Sequence, residues 1–409
     1  MRASIDEVED TITNDAVEEA VDRALRMGSD IPYIPIFHGD SQWLWKQWAG
    51  TIFDQTWMQV ASVSIVGALA VCTFRSYSAT PPPSSSHWLD LPDAQDPIVQ
   101  KLRALDTMWN YQLTLTTFVV SFFLQQAYGF WLASKANTRK IQGRLNDVGM
   151  LCASHAARTE QGVYEPAAQE MLDDLGRYSR LFHMFFWASI LRPARGDIYG
   201  ASLALLRTRR GVDSLVRRGV LTERERTALL STNLPAKQWH WPILEWIVVR
   251  IADARKPSES LGGRKLLGGG DAVHHVLLDK CCLLRSTCAS IPDDIAGRMP
   301  MAYVHFVQVL VDSLVALAPF ALYPRLGALA VVLAGILTLF YRGFLGLSKS
   351  FLDPFGNDDS IGQNLQVETL LGESNNASKR WQSAARSLPF DLTATATDPA
   401  TKFFVSSKK

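Results

Sequence analysis

The sequence predicts an all-α membrane protein with four transmembrane helices and a large helical region between the second and third. Three observations carry this. Four long apolar segments lie at Trp57–Phe74, Leu113–Ser134, Ala302–Tyr323 and Leu326–Leu347. Mean hydropathy is near neutral at +0.02, an average over these apolar blocks and strongly charged blocks between them. Outside the apolar blocks the patterning is helical, and strand-like alternation is scarce. Four buried helices of a large soluble core are the bland alternative, but uncharged runs of this length are rare in such folds.

In chain order, residues 1–56 read as an N-terminal arm. Met1–Ala24 is acidic and polar without an apolar core, so it is neither a secretory signal nor an Arg-rich transit peptide, and a solvated arm or short helix is expected there. Residues 57–134 hold the first two spans. The first, WMQVASVSIVGALAVCTF, is uncharged and just long enough for a bilayer core of about 30 Å. The loop after it carries Asp90, Asp93, Asp96 and Asp106 and an irregular Pro81–Ser86 run. The second span is uncharged but includes Thr114, Thr116, Thr117, Gln125 and Gln126.

Residues 135–300 form a basic block whose flanks, such as Lys135, Arg139 and Lys140, favour the cytosol. A long helix is expected over Glu165–Ser189, and Thr222-Glu-Arg-Glu225 is a capping box. Gly262-Gly263 and Gly268-Gly269-Gly270 read as breaks, not phosphate loops, because no strand precedes them and no Lys-Ser/Thr follows. Residues 301–348 hold a tight hairpin of spans separated by Pro324 and Arg325, and 349–409 an acidic loop and tail. Asp312 and Arg342 fall inside the hairpin spans, and a structural ion pair is the preferred reading.

The formal net charge of +1 argues against nucleic-acid binding, and five cysteines imply no disulfide framework. His274-His275 with Cys281, Cys282 and Cys288 lacks paired CxxC spacing, so zinc is not expected. No GxSxG, HExxH, dinucleotide or kinase motif is present, which speaks against an enzyme.

The run Phe351-Leu-Asp-Pro-Phe-Gly-Asn-Asp-Asp359 closes the last span. Pro354 stops a helix, Gly356 permits a tight bend, and Asp353, Asp358 and Asp359 place carboxylates on a short loop. By themselves these residues suit either a polar helix stop or a hard cation such as calcium. The run resembles the signature after the last membrane helix of bestrophins, which are homopentameric anion channels. Other words follow in the same order: Trp48-Ala-Gly-Thr-Ile52, Arg177-Tyr178, Leu215-Val216 with Gly219, Thr222 and Glu225, then Trp241-Pro242, Trp246, Arg285-Ser-Thr-Cys288, Pro300, Tyr303 and Asn364-Leu-Gln-Val367. Together they cover roughly residues 43 to 375.

The resemblance implies five subunits around one path for chloride, with bicarbonate plausible. The sequence does not state which membrane: the plasma membrane is the first choice and a thylakoid or other organelle membrane the alternative. The resemblance implies a neck at Thr114, Phe118 and Phe122, which recur every four residues along one helical face. Core packing of those phenylalanines is the competing reading. It also implies a second constriction near Ala272 and Val273, and a calcium site using Asp358, Asp359 and the Asp353 carbonyl. Ile361 and Ser350 stand where calcium-activated members carry ligands, so calcium dependence stays open. A secondary transporter and a non-conducting scaffold are the other classes to separate.

Overall fold

The apolar periodicities become helices, and the glycines and prolines set their ends. The computed structural model describes residues 13–28, 32–34, 39, 46, 48, 51–77, 91–192, 202–357, 364–384, 386 and 388. Their regular elements are helical, with only three isolated bridges. In order they are α1 (Asn14–Leu25), α2 (Ile52–Tyr77), α3 (Pro97–His155), α4 (Pro166–Ile190), α5 (Arg209–Arg217), α6 (Glu223–Ser231), α7 (His240–Asp253), α8 (Gly270–Ala296), α9 (Met301–Leu326), α10 (Leu329–Phe351) and α11 (Val367–Ala384). The Pro81–Ser86 run lies outside the described residues.

The chain divides into two compact units. One comprises residues 34–135 and 294–365, and the other residues 1–33, 136–293 and 366–409. The first contains the helices long and apolar enough to cross a membrane: α2, α9 and α10. Three spans, rather than the expected four, meet that standard among the described residues. The fourth segment sits inside the 59-residue α3, and its threonines and glutamines lower its apolarity. In this unit α10 packs on α2 and α9. Small residues let α2 and α10 approach closely: a Cβ on Gly346 would lie 2.8 Å from Gln55 Oε1. The hairpin turn also differs from expectation. Helix α9 runs through Pro324 to Leu326, and the break falls at Gly327, which takes φ +54° and returns its N–H to the Tyr323 carbonyl at 2.9 Å.

In the other unit, α1 is packed and not solvated. Ala16, Val17, Ala20, Val21 and Ala24 form one buried face, and the first three cluster with Leu205. Thr13 caps the helix by accepting the Ala16 N–H at 3.3 Å. The Thr222–Glu225 capping box forms in both directions, at 2.9 and 3.2 Å. The glycine breaks adopt left-handed φ at Gly262, Gly263, Gly269 and Gly270.

The core of this unit is aromatic: Phe182, Phe185, Phe186 and Trp187 are essentially inaccessible. His183 is buried among them. Trp187 Nε1 donates to His183 Nε2 at 2.8 Å, so the proton of the neutral ring sits on Nδ1. Charging this imidazole would set two N–H donors against each other in an apolar core. Burial pushes His183 down to about 3 and His240, against the Phe186 ring, down to about 4. Both folded values lie below the ordinary value of about 6.5, so the unfolded chain binds more protons as pH falls. Stability should therefore drop below about pH 6.5, at about 1.4 kcal/mol per pH unit per histidine once each titrates in the unfolded state. Denaturant melts between pH 7 and pH 5 check this, and His183→Phe should flatten the slope.

Candidate functional site

Helix α3 positions the candidate neck. Its 59 residues span about 88 Å at 1.5 Å per residue. Within residues 109–127, Trp109, Thr116, Val120, Phe123 and Ala127 are buried and define one face. Val120, Phe123 and Ala127 pack with Val307, Val311 and Val315 of α9 and Leu345 of α10. Polar fasteners hold α3 in the same rotation. Trp109 Nε1 donates to the Leu314 carbonyl at 2.9 Å, Gln112 Nε2 to Ser313 Oγ at 2.5 Å, and the Thr117 and Tyr341 hydroxyls share a hydrogen bond of 2.5 Å.

That rotation turns Tyr111, Thr114, Phe118 and Phe122 to the opposite side. Phe118 is 71% exposed and Phe122 50%. Neither is a core residue of this chain. The Thr114 hydroxyl donates to the Asn110 carbonyl at 3.1 Å, which keeps its donor within the helix. Gln125 and Gln126 are exposed too, so the outward side of the segment mixes aromatic rings with amides. Ala272 and Val273 lie in the other unit, in the first turn of α8, with Ala272 exposed and Val273 partly buried. Arg255 pins that turn through the Gly270 carbonyl at 2.7 Å and Asp271 at 3.1 Å.

The acidic loop is only partly described. Asp358 and Asp359 lie outside the described residues. The Asp353 side chain is buried, and its Oδ1 accepts the Asn357 N–H at 2.8 Å. Its carbonyl accepts the Gly356 N–H at 3.2 Å. Asp353 therefore shapes the turn with both groups, a role its place in the run did not announce. Ser350 Oγ is buried without a hydrogen-bond partner among the described residues.

The Asp312–Arg342 pair forms, at 2.8 Å. Among the described residues no group of three or more histidines, cysteines or acids gathers. Burial pushes the Cys281 thiol up to about 12. The fasteners Trp109, Gln112 and Tyr341 were not singled out in the sequence. A tryptophan and a glutamine bordering an apolar run are the only signal they leave.

No protein-family model matches the chain, and no curated protein matches it by sequence. Solved structures do. A tryptophan-to-alanine variant of a bacterial bestrophin homologue from Klebsiella pneumoniae superposes with a TM-score of 0.56 at 14% identity, covering 82% of this chain and 100% of that one. Another structure of the Klebsiella pneumoniae homologue gives 0.54 at 13%, covering 81% and 98%. A glycine-to-alanine variant described as a membrane protein gives 0.55 at 14%, covering 80% and 98%. At this identity the likeness speaks for architecture, over most of both chains. The chain has the bestrophin fold.

Proposed function

We propose that this chain is the subunit of an anion channel, assembled as a homopentamer with α3 around the axis. The carrying observation is the placement of Phe118 and Phe122, exposed on the side of α3 opposite its buried face. Exposed Gln125 and Gln126 on the same segment make a lipid-facing role for its whole outer side costly. Around a five-fold axis each phenylalanine would contribute a ring of five, and such rings gate by dewetting while their positive edges meet a partly dehydrated anion. In this reading residues 113–134 form the fourth span. On α2, half-exposed Trp57 and exposed Tyr77 lie about 30 Å apart along the helix, as interfacial anchors of a bilayer core do.

Chloride is the proposed ion, with bicarbonate also admitted because such a neck selects by size and ease of dehydration. Ala272 and Val273 are the proposed second constriction. Residues 135–300 are cytosolic in this reading, and the plasma membrane is the first choice over a thylakoid or other organelle membrane. Calcium would be held by Asp358 and Asp359 with the Asp353 carbonyl.

Reconstitution of the purified chain in planar bilayers tests the reading. Unitary anion current from a particle of pentameric mass is expected. Steady flux without unitary steps would point to a carrier, and a silent pentamer to a scaffold. A stable monomer would sink the pore altogether. Replacing Asp358 and Asp359 with Asn should remove activation by micromolar calcium. Current indifferent both to chelator and to that substitution would reduce the loop to a helix stop.

A further inference from the structure

Helices α9 and α10 share a continuous polar ladder inside the membrane unit. Arg342 Nη1 lies 2.8 Å from Asp312 Oδ1. Gln308 Nε2 donates to both Asp312 oxygens, at 2.7 and 2.8 Å, and Lys349 Nζ donates to Gln308 Oε1 at 2.5 Å. Gln308 and Asp312 stand one turn apart on α9, and Arg342 and Lys349 two turns apart on α10, so each pair shares a face. The Gln308 amide is thereby oriented, nitrogen toward the carboxylate and oxygen toward the ammonium.

A structural ion pair explains Asp312 and Arg342 but leaves Lys349 over. The ladder has two cations and one carboxylate, and Lys349 feels both Asp312 and Arg342 electrostatically. Among the described residues its hydrogen bond is to a neutral amide oxygen. The remaining polar capacity on the two cations is all donor: Arg342 Nε is buried without an acceptor among the described residues, and the ammonium has further N–H groups. Among the described residues the ladder's excess charge is positive, and positive charge flanked by open donors selects against a cation and for an anion. Side chains lean toward the N-terminus of their helix, which directs the Lys349 ammonium back along α10 toward Arg342. Gln55, beside Gly346 on the α10 face that also carries Arg342 and Lys349, is neutral.

We propose that the ladder is an accessory binding site for a small monovalent anion of halide size, held between Lys349 and Arg342. Its use in permeation rests on the channel reading, but its chemistry does not. The test is thermal stabilisation of the detergent-purified full chain on titrating bromide against a gluconate background. Lys349→Gln should raise the half-saturating bromide concentration about tenfold or more, and Lys349→Arg should restore it. Asp312→Asn, which removes the one negative charge, should lower it severalfold. Equal bromide responses in the wild type and both charge-altering variants would overturn the site. So would stabilisation by phosphatidylglycerol vesicles with indifference to bromide, which would mark a lipid headgroup site instead. Opposite shifts in a protein that passes no unitary current would leave the ladder standing and fell the channel. Current with no variant-dependent bromide response would do the reverse.

Discussion

Truncating Phe118 and Phe122 to alanine is expected to raise anion current and weaken discrimination by anion size, with little loss of protomer stability. The direction follows from exposure. Removing a core phenylalanine costs about 3–5 kcal/mol, through lost burial and the cavity left behind. Phe118 is 71% exposed in its own chain and Phe122 50%, so most of that cost has no source within the protomer. If the rings instead line the path, alanine widens and hydrates the narrowest part. A barrier lowered by about 1.4 kcal/mol would raise current about tenfold. Current and thermal stability measured on each single variant and the double decide the matter. Variants that melt early or fail to assemble, with permeation unaltered, would place the rings in contacts between subunits and remove the neck.

How far this was legible depends on what each feature needs. Three spans announce themselves because apolarity is a property of consecutive residues. The four-residue spacing of Thr114, Phe118 and Phe122 was equally visible, since a shared helical face needs only the period. Their outward direction was not, because it is set by Trp109, Val120 and Phe123 packing on partners some 200 residues away in sequence. The status of α3 was hidden in a different way. Its polar threonines and glutamines blur the span, and its helix continues beyond 134 into charged sequence without a break. Packing of α1 was underestimated because alanine and valine at helical spacing form a weakly hydrophobic face, enough only when a partner such as Leu205 is supplied. Asp353 read as a candidate ligand from its place in an acidic run. The fold also spends it on the turn.

The second large effect is expected at Glu225, where separate words of the bestrophin resemblance meet. Arg177 reaches it through Nη1–Oε2 at 2.6 Å and Nη2–Oε1 at 2.8 Å, a bidentate pair. The Tyr178 hydroxyl donates to Oε1 at 2.8 Å, and Trp246 packs on the Tyr178 ring. Arg177 also meets Asp174 at 3.1 Å, which in turn accepts from Arg250 at 3.1 Å. Burial alone would push the Glu225 carboxyl up, but hydrogen bonds from Arg177, the Thr222 N–H and Tyr178 hold it below its ordinary value. The Tyr178 phenol is pushed up to about 12 by burial and by that same carboxylate. With side chains only 13% and 17% exposed, the pair is poorly screened by water. Glu225→Ala would strip Arg177 of its main counter-charge, leave the Tyr178 hydroxyl without its acceptor and open the α6 capping box. Breaking a buried pair from one side costs about 3–5 kcal/mol, so a loss of at least about 3 kcal/mol is expected here. Pairing Glu225→Leu with Arg177→Met should cost less than the sum of the two singles, because neither charge is then left stranded. Since the folded carboxyl titrates low, its contribution is present above the ordinary value of about 4.3 and fades as pH falls through the folded one. Urea melts of the four proteins measure this cycle. A Glu225→Ala variant within about 0.5 kcal/mol of wild type would put the cluster among ordinary surface ion pairs, which contribute about that little.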